Sequence, residues 1–366
     1  MACARVVSAG TAYYSCAVVY DNVDERGQLK CWGTGGPQLG LGDTDTRGDQ
    51  LSDMGAALPA VDVGVGRFVV TVSNAATHTC AVLDNRRVKC WGDNSDWQLG
   101  YGDKYTRGHS SATMGEALPF VDIGTDYEAV DVCAAGVSPN WSYSCALSTA
   151  GSVKCWGSGH VISADTEIGS SWHLGTTPAE MGDNLPAINL GTSRYVTQLT
   201  CAKYDVCVIL DNNQIKCWGQ TSNFGGHQVA VMGDNLQIVS LGTGRTATQI
   251  TCGGLHSCAL LDNGDVKCWG RNNLGQLGLG DTADRGSVEA NMGDNLPTVS
   301  LSSTLTTLAV YAGHEHTCAL LSDHQLRCWG TNNEAVLGIG EDYWDTWNEI
   351  GDEPGEMGDA LVAVDL

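Results

Sequence analysis

The residues with the greatest chemical capacity in this chain are its sixteen cysteines. Cys80 and Cys90, Cys145 and Cys155, Cys207 and Cys217, Cys258 and Cys268, and Cys318 and Cys328 each stand ten positions apart. Cys16 and Cys31 are the same pair around a longer loop. Thiols at a fixed spacing can hold a metal or form disulfides. Structural zinc sites usually bring ligands as close pairs such as C-x2-C, and no two cysteines here have that spacing. The intervening residues favour disulfides. In the copy at 258–268 an apolar run is followed by Asp262-Asn263-Gly264 and a second run, which reads as a β-hairpin. A three-residue loop of this kind suits a type I turn with a bulge, whose last residue needs positive φ. Centred on Asn263, it sets Cys258 directly opposite Cys268, about 4.5–5.5 Å away at Cα, a distance a disulfide spans. Gly151, Asn213, Arg86 and His324 take the last turn position in other copies, the last two with mild strain. Each such bond closes a short loop and contributes about 2–3 kcal/mol. Cys133, Cys201 and Cys252 read as equivalent first-strand residues carrying buried thiols, and Cys3 has no assigned partner.

What must position these pairs is a tandem repeat. Cys-Trp-Gly occurs at 31–33, 90–92, 155–157, 217–219, 268–270 and 328–330. Met-Gly begins at Met54, Met114, Met181, Met232, Met292 and Met357, with spacings of 51 to 67 residues. Repeats of this length are supersecondary units that bury their faces against one another. Each holds two hairpin strands, a β-rich run before them, and an apolar run after Met-Gly: 58–64, 118–124, 185–191, 236–242, 296–302 and 361–366. Pro at the second position of four of these runs places them at an edge. Four short strands repeated around a ring make an all-β, single β-propeller, with six blades expected rather than seven. The domain is 1–366, with repeats at approximately 1–64, 65–124, 125–191, 192–242, 243–302 and 303–366. Closure without exchange, or with 361–366 completing the N-terminal blade, are both compatible with the pattern.

Length varies mainly between Trp-Gly and Met-Gly, where propeller loops carry binding function. Aromatic residues that break the repeat fall there: Trp97, Tyr101, Tyr105, Trp172, Trp344 and Trp347 are the candidate binding residues. The six Cys-Trp-Gly tryptophans read as packing between blades. Lys30, Lys89, Lys154, Lys216, Lys267 and Arg327, each just before Cys-Trp-Gly, read as a repeated ion pair between blades. His78, His256 and His316 read as hydrogen-bonded turn residues. The run Asp43 to Asp49, with relatives at 103–108 and 281–286, offers oxygen ligands for calcium, or a turn capped by an Asp–Arg pair. It lacks the glutamate of a calcium loop. No catalytic motif stands out, so no cofactor is expected beyond that calcium option.

A net charge of −23 argues against nucleic-acid binding, and no apolar run is long enough for membrane insertion. The cysteines point to an oxidising compartment, extracellular or cell-surface, although MACARVVSAG is not a signal peptide. Met1 is then a scar, the edge of an excised domain, or the start of a chain exported by another route. The pattern at 253–260, 266–270 and 272–281, with a partial copy at 76–83, 88–92 and 98–103, resembles the regulator of chromosome condensation repeat. The resemblance implies a propeller, usually of seven blades, and the strand cysteines look like an exported, disulfide-bearing branch. Nuclear members of that family act as exchange factors for a small GTPase and touch chromatin, a role that acidity and disulfides do not suit. The expected function is non-enzymatic binding of another protein through face loops. The alternative is a lectin-like, calcium-assisted glycan binder.

Overall fold

A computed structural model describes residues 3–9, 14–20, 26–137, 141–159, 173–219, 232–333, 336–339 and 349–364. The chain divides into two compact units, Met1–Asn189 and Leu190–Leu366. The first contains β1 (Cys3–Ala9), β2 (Tyr14–Tyr20) and β3 (Gly27–Gly33), then β4 (Val69–Asn74), β5 (His78–Leu83) and β6 (Val88–Gly92). Its third sheet is β7 (Ala129–Val137), β8 (Trp141–Ser148), β9 (Val153–Ser158) and a short added β10 (His173–Leu174). The second unit contains β11 (Val196–Cys201), β12 (Asp205–Leu210) and β13 (Ile215–Gly219), then β14 (Ala247–Cys252), β15 (His256–Leu261) and β16 (Val266–Gly270). Its last sheet is β17 (Thr307–Ala312), β18 (His316–Leu321) and β19 (Leu326–Gly330). Every sheet is an antiparallel meander of the kind that fits a propeller blade. Among the described residues there is no α-helix, and no helix long and apolar enough to cross a membrane.

The predicted hairpin register is observed. Cys258 pairs with Cys268 across β15 and β16. In the other five sheets Cys16 faces Cys31, Cys80 faces Cys90, Cys145 faces Cys155, Cys207 faces Cys217, and Cys318 faces Cys328. Each of these six pairs is joined as a disulfide. The one departure is distance. Their Cα separations are 4.0 to 4.2 Å, closer than expected for an unlinked ladder. The turn residues Gly264, Gly151, Asn213, Arg86 and His324 all have positive φ. Each donates its N–H back to the last strand carbonyl, as in Gly264 N to Leu261 O at 3.0 Å.

Three expectations need correction. The run after Met-Gly lies beside the Cys-Trp-Gly strand but is not a full fourth strand. It makes a single ladder bond per repeat, as in Val61 N to Leu29 O and Val299 N to Val266 O, both 2.8 Å. Leu58, Val61 and Val63 are buried, so packing holds the segment where proline and its neighbours limit the ladder. The last such run bonds its own repeat, Val364 N to Leu326 O at 2.8 Å. Second, among the described residues the lysines before Cys-Trp-Gly form no ion pairs between repeats. Lys89 Nζ donates to Val63 O (3.0 Å) and Gly115 O (2.7 Å), and Lys216 Nζ to Leu190 O and Gly233 O (2.8 Å each). Burial pushes both amines below the ordinary lysine value, with Glu116 and Asp62 opposing the shift at Lys89. Arg327 pairs with Asp323 of its own turn. Third, Cys133 is not equivalent to Cys201 and Cys252. It faces Cys145, whereas Cys201 and Cys252 face Val206 and Ser257, one ladder position further on. The long β7–β8 hairpin adds residues between Cys133 and Cys145, and counting along the sequence hides the shift.

Core residues come from consecutive repeats. One cluster joins Ile209, Ile215, Val239 and Leu241 to Ile250, Leu261, Trp269 and Met292; another joins Val266 and Leu277 to Val310, Leu321 and Trp329. No repeat here closes its own core.

Cys133 and Cys201 are also disulfide-bonded, which overturns the buried-thiol reading, while Cys252 remains a buried thiol. Thiol titration of denatured, unreduced protein is expected to find about two free thiols, with a count near four contradicting this bonding. The exposed His324 sits at φ 60° without a glycine's freedom. His324→Gly should therefore raise stability by about 0.5–1 kcal/mol, read as a higher Tm.

Candidate partner-binding loop

The loop that follows Trp91-Gly92 in the second repeat is built on a polar knot. Asn94 Nδ2 donates to Asp103 O (2.8 Å), and Leu99 N donates to Asn94 Oδ1 (3.0 Å). Arg107 bonds both carboxylate oxygens of Asp103 (2.9 and 2.8 Å), and Gly92 bridges to Arg107 across the loop's base. The fifth repeat uses the same parts, with Asn272 on Asp281 and Leu277, and Arg285 on Asp281. The Asp–Arg alternative is therefore the one observed at Asp43, Asp103 and Asp281, whose carboxylates each face a guanidinium four residues on. At Asp103, Arg107 together with the N–H of Tyr105 and the Asn94 amide holds the carboxyl below its ordinary value against the opposing effect of burial.

Gln98 completes the knot and ties it to the next sheet. Its carbonyl accepts from Trp156 Nε1 and Ser144 Oγ, both at 2.9 Å. Gln38 receives Trp91 Nε1 (3.0 Å) and Thr79 Oγ1 (2.9 Å), and Gln276 receives Trp329 Nε1 (3.1 Å) and Thr317 Oγ1 (2.9 Å). The Cys-Trp-Gly tryptophans at these positions are thus buried packing residues with a satisfied indole. The histidines bond across repeats instead of within a turn: His78 Nε2 lies 2.9 Å from Ser144 Oγ, and His256 Nε2 lies 2.8 Å from Thr317 Oγ1. His78 with Ser144 has the look of a catalytic dyad. Both residues are sealed from solvent and the serine already donates to Gln98, so the pair has no access to a substrate.

Within this scaffold Trp97 is an anomaly. It occupies the position of Gly275 in the fifth repeat, where φ is 69°, and it is held at φ 60°. A bulky residue in the left-handed region costs about 1–2 kcal/mol. The Lys104 ammonium lies 3.6 Å from its ring centroid, and the His173 ring lies 4.9 Å away. Tyr105, the residue after Lys104, has 74% of its surface exposed. Tyr101 is different: its hydroxyl lies 2.9 Å from Cys90 O and 3.1 Å from Pro119 O, and Arg107 covers its ring. Burial raises that hydroxyl far above the ordinary tyrosine value. Tyr101 fastens the loop to β6 and has little left to offer a partner. Trp172, Trp344 and Trp347 lie outside the described residues. Lys104 and His173 were not singled out from the sequence. The signal for Lys104 was available, since it is the one lysine between any Trp-Gly and the following Met-Gly.

Profiles of the regulator of chromosome condensation (RCC1) repeat match residues 76–98, 247–276 and 308–335, and a second profile matches 263–320. The chain therefore carries repeats of the regulator of chromosome condensation type at these positions. It is 25% identical over 325 residues to the ultraviolet-B receptor UVR8 of Arabidopsis thaliana, covering 75% of this chain and 68% of that one. It is 26% identical over 302 residues to the probable E3 ubiquitin-protein ligase HERC6 of Homo sapiens, but the match spans only 26% of that protein. In structure the chain is similar to human WBSCR16 (TM-score 0.71, 15% identity, covering 100% of this chain and 83% of that one). It is also similar to yeast RCC1 (Prp20), solved with Kap60 bound (TM-score 0.67, 16% identity, 98% and 74% covered). These likenesses establish the shared fold.

The buried histidines set a pH response. Burial pushes His78 down to about 4 and His256 to about 3, and lowers His314 and His316 as well. The unfolded chain therefore binds more protons below about pH 6.5, so this stability is complete above 6.5 and is lost as pH falls toward 4 and 3. Asp131, raised to about 6 by burial, works in the opposite sense and offsets about one histidine. The balance between His78, His256 and Asp131 leaves a slope of about 1.4 kcal/mol per pH unit between pH 6 and 4. Tm measured from pH 7 to 4 should fall accordingly, and His256→Gln should flatten the curve.

Proposed function

We propose that this chain is a non-enzymatic propeller that binds another protein through the loops after Trp-Gly, in an oxidising extracellular or cell-surface setting. In this reading the six sheets act as blades of one six-bladed propeller. Six cross-strand disulfides support the compartment, because such bonds persist where thiols are not kept reduced. Protein binding is in keeping with solved relatives of the fold: yeast RCC1 is seen with Kap60, and Prp20p from Saccharomyces cerevisiae is described with its binding to Gsp1p and histones.

The observation that carries the proposal is Trp97. The loop around it is fastened at both ends, yet at the position where the fifth repeat has glycine the chain keeps a strained indole capped by a lysine, and the residue after that lysine is an exposed tyrosine. Backbone strain persists where the surroundings over-determine it, and it clusters at sites of recognition. Large aromatic side chains on a rigid support dominate protein interfaces.

The test is capture of cell-surface or secreted proteins on the immobilised chain, with cross-linking and mass spectrometry to name the partner. Trp97→Gly and Tyr105→Ala should each weaken that partner's binding tenfold or more. Trp97→Gly should leave stability within about 1 kcal/mol, since lost stacking is offset by relieved strain. Unchanged binding in both variants would overturn the assignment, as would chelator-sensitive binding to a glycan array with no protein partner.

A further inference from the structure

The second unit holds a cavity of about 610 Å³ against the first strands of three consecutive sheets, β11, β14 and β17. It opens at the end of the sheets where Ala247 pairs with Leu261, whereas the Trp-Gly loops leave from the other end, where Gly270 pairs with His256. The cavity thus lies at the opposite end of these sheets from their own Trp-Gly loops. Its walls repeat with the sequence: Thr197 and Gln198 from one repeat, Thr248 and Gln249 from the next, with Leu308 opposite them.

The chemistry of the lining selects its ligand. Among the described residues none of the lining is charged, in a chain carrying a net charge of −23. Among them none is aromatic either, so they offer a sugar ring no face on which to stack. The glutamines are held rigid. Gln198 donates to Ile250 O and accepts from Ile250 N (3.1 Å each), and Gln249 does the same with Val310 (2.8 and 2.9 Å). Each amide therefore keeps one N–H and one lone pair. Thr197 and Thr248 donate their hydroxyl protons to Ile209 O and Leu260 O at 3.2 Å, leaving oxygen lone pairs as acceptors. The site offers fixed, uncharged donors and acceptors one repeat apart, beside the half-exposed apolar Leu308. Peptide groups carry the matching N–H and C=O, and an uncharged side chain would cover the leucine.

We propose that this cavity binds an extended, uncharged peptide segment of a partner protein. The probe is a displayed library of random twelve-residue peptides selected on the purified, disulfide-intact full chain. Enriched sequences are then measured by fluorescence polarisation on wild type, Thr248→Arg and Leu308→Arg. Thr248 and Leu308 are exposed strand residues, so the arginines fill the cavity without entering the core; Tm verifies folding, and Thr248→Ser serves as the conservative variant. The expected result is an uncharged consensus that loses at least tenfold in affinity on both arginine variants and keeps its affinity on Thr248→Ser. Absence of enrichment, a charged consensus, or peptides that bind the arginine variants within twofold of wild type would overturn the proposal.

Discussion

Three of the repeats are each joined to the next sheet through a single backbone carbonyl. Gln38, Gln98 and Gln276 each present their carbonyl oxygen to the following sheet, where it accepts an indole N–H and a hydroxyl together. A carbonyl has two lone pairs, and both are filled here by donors that have no water to turn to. Removing either partner would strand a buried polar group, at about 1–3 kcal/mol. The tryptophan of Cys-Trp-Gly and the Ser or Thr before the hairpin cysteine are therefore fixed as a pair, by one acceptor outside their own repeat. The equivalent donor on Trp269 meets no acceptor among the described residues.

A second joint uses charge. The glycine after Met114, Met181 and Met292 has positive φ and packs so closely on the preceding repeat that a Cβ would collide with Asp62, Asp122 or Ser240. Its N–H donates to the carbonyl of that same residue at 3.0 Å. The next residue reaches across: Asp183 takes the N–H and hydroxyl of Thr125, and Asp294 takes those of Thr243, all at 2.8 Å or less. These bonds hold the Asp183 and Asp294 carboxyls below the ordinary range. Lysine closes the joint from the other side, its ammonium on the carbonyls of the glycine and the preceding run. A recurring Met-Gly-Asp is thus an adhesive between repeats, and the buried Met114, Met181 and Met292 are its apolar part.

Much of this was legible in the sequence because it repeats. Hairpin register follows from turn chemistry at Asp262-Asn263-Gly264, and a register of period two leaves the cysteines nowhere to face but each other. The lysine clamp was not legible. A lysine beside many acids suggests an ion pair, and only the fold shows that backbone carbonyls lie nearer. Cys133 was misplaced for a related reason: it stands four residues after Ala129, whereas Cys201 and Cys252 stand five after Val196 and Ala247, and the longer β7–β8 hairpin hides that difference from a count between cysteines. At the candidate site, Trp97 and Tyr105 could be found as aromatic departures from the repeat. The left-handed backbone beneath Trp97 could have been found by alignment with Gly275, and Lys104 is only seven residues away, but the His173 ring arrives from 76 residues further on and depends on the fold.

The same joints account for the unusual chemistry of the second repeat's loop. Five of the seven lysines precede Cys-Trp-Gly, and four of these are bound to carbonyls between repeats, so they add little to the outward field of an acidic chain. Lys104 is exposed, and it is placed over an indole whose backbone cost is met by ties at Asn94, Gln98 and Arg107. A loop free to relax would shed that strain by turning the indole away. Here the ties leave it no such route, so the ring stays in one orientation between Lys104 and His173. Rigidity imposed for packing thus becomes preorganisation for binding, because a partner meeting this surface does not have to immobilise it first.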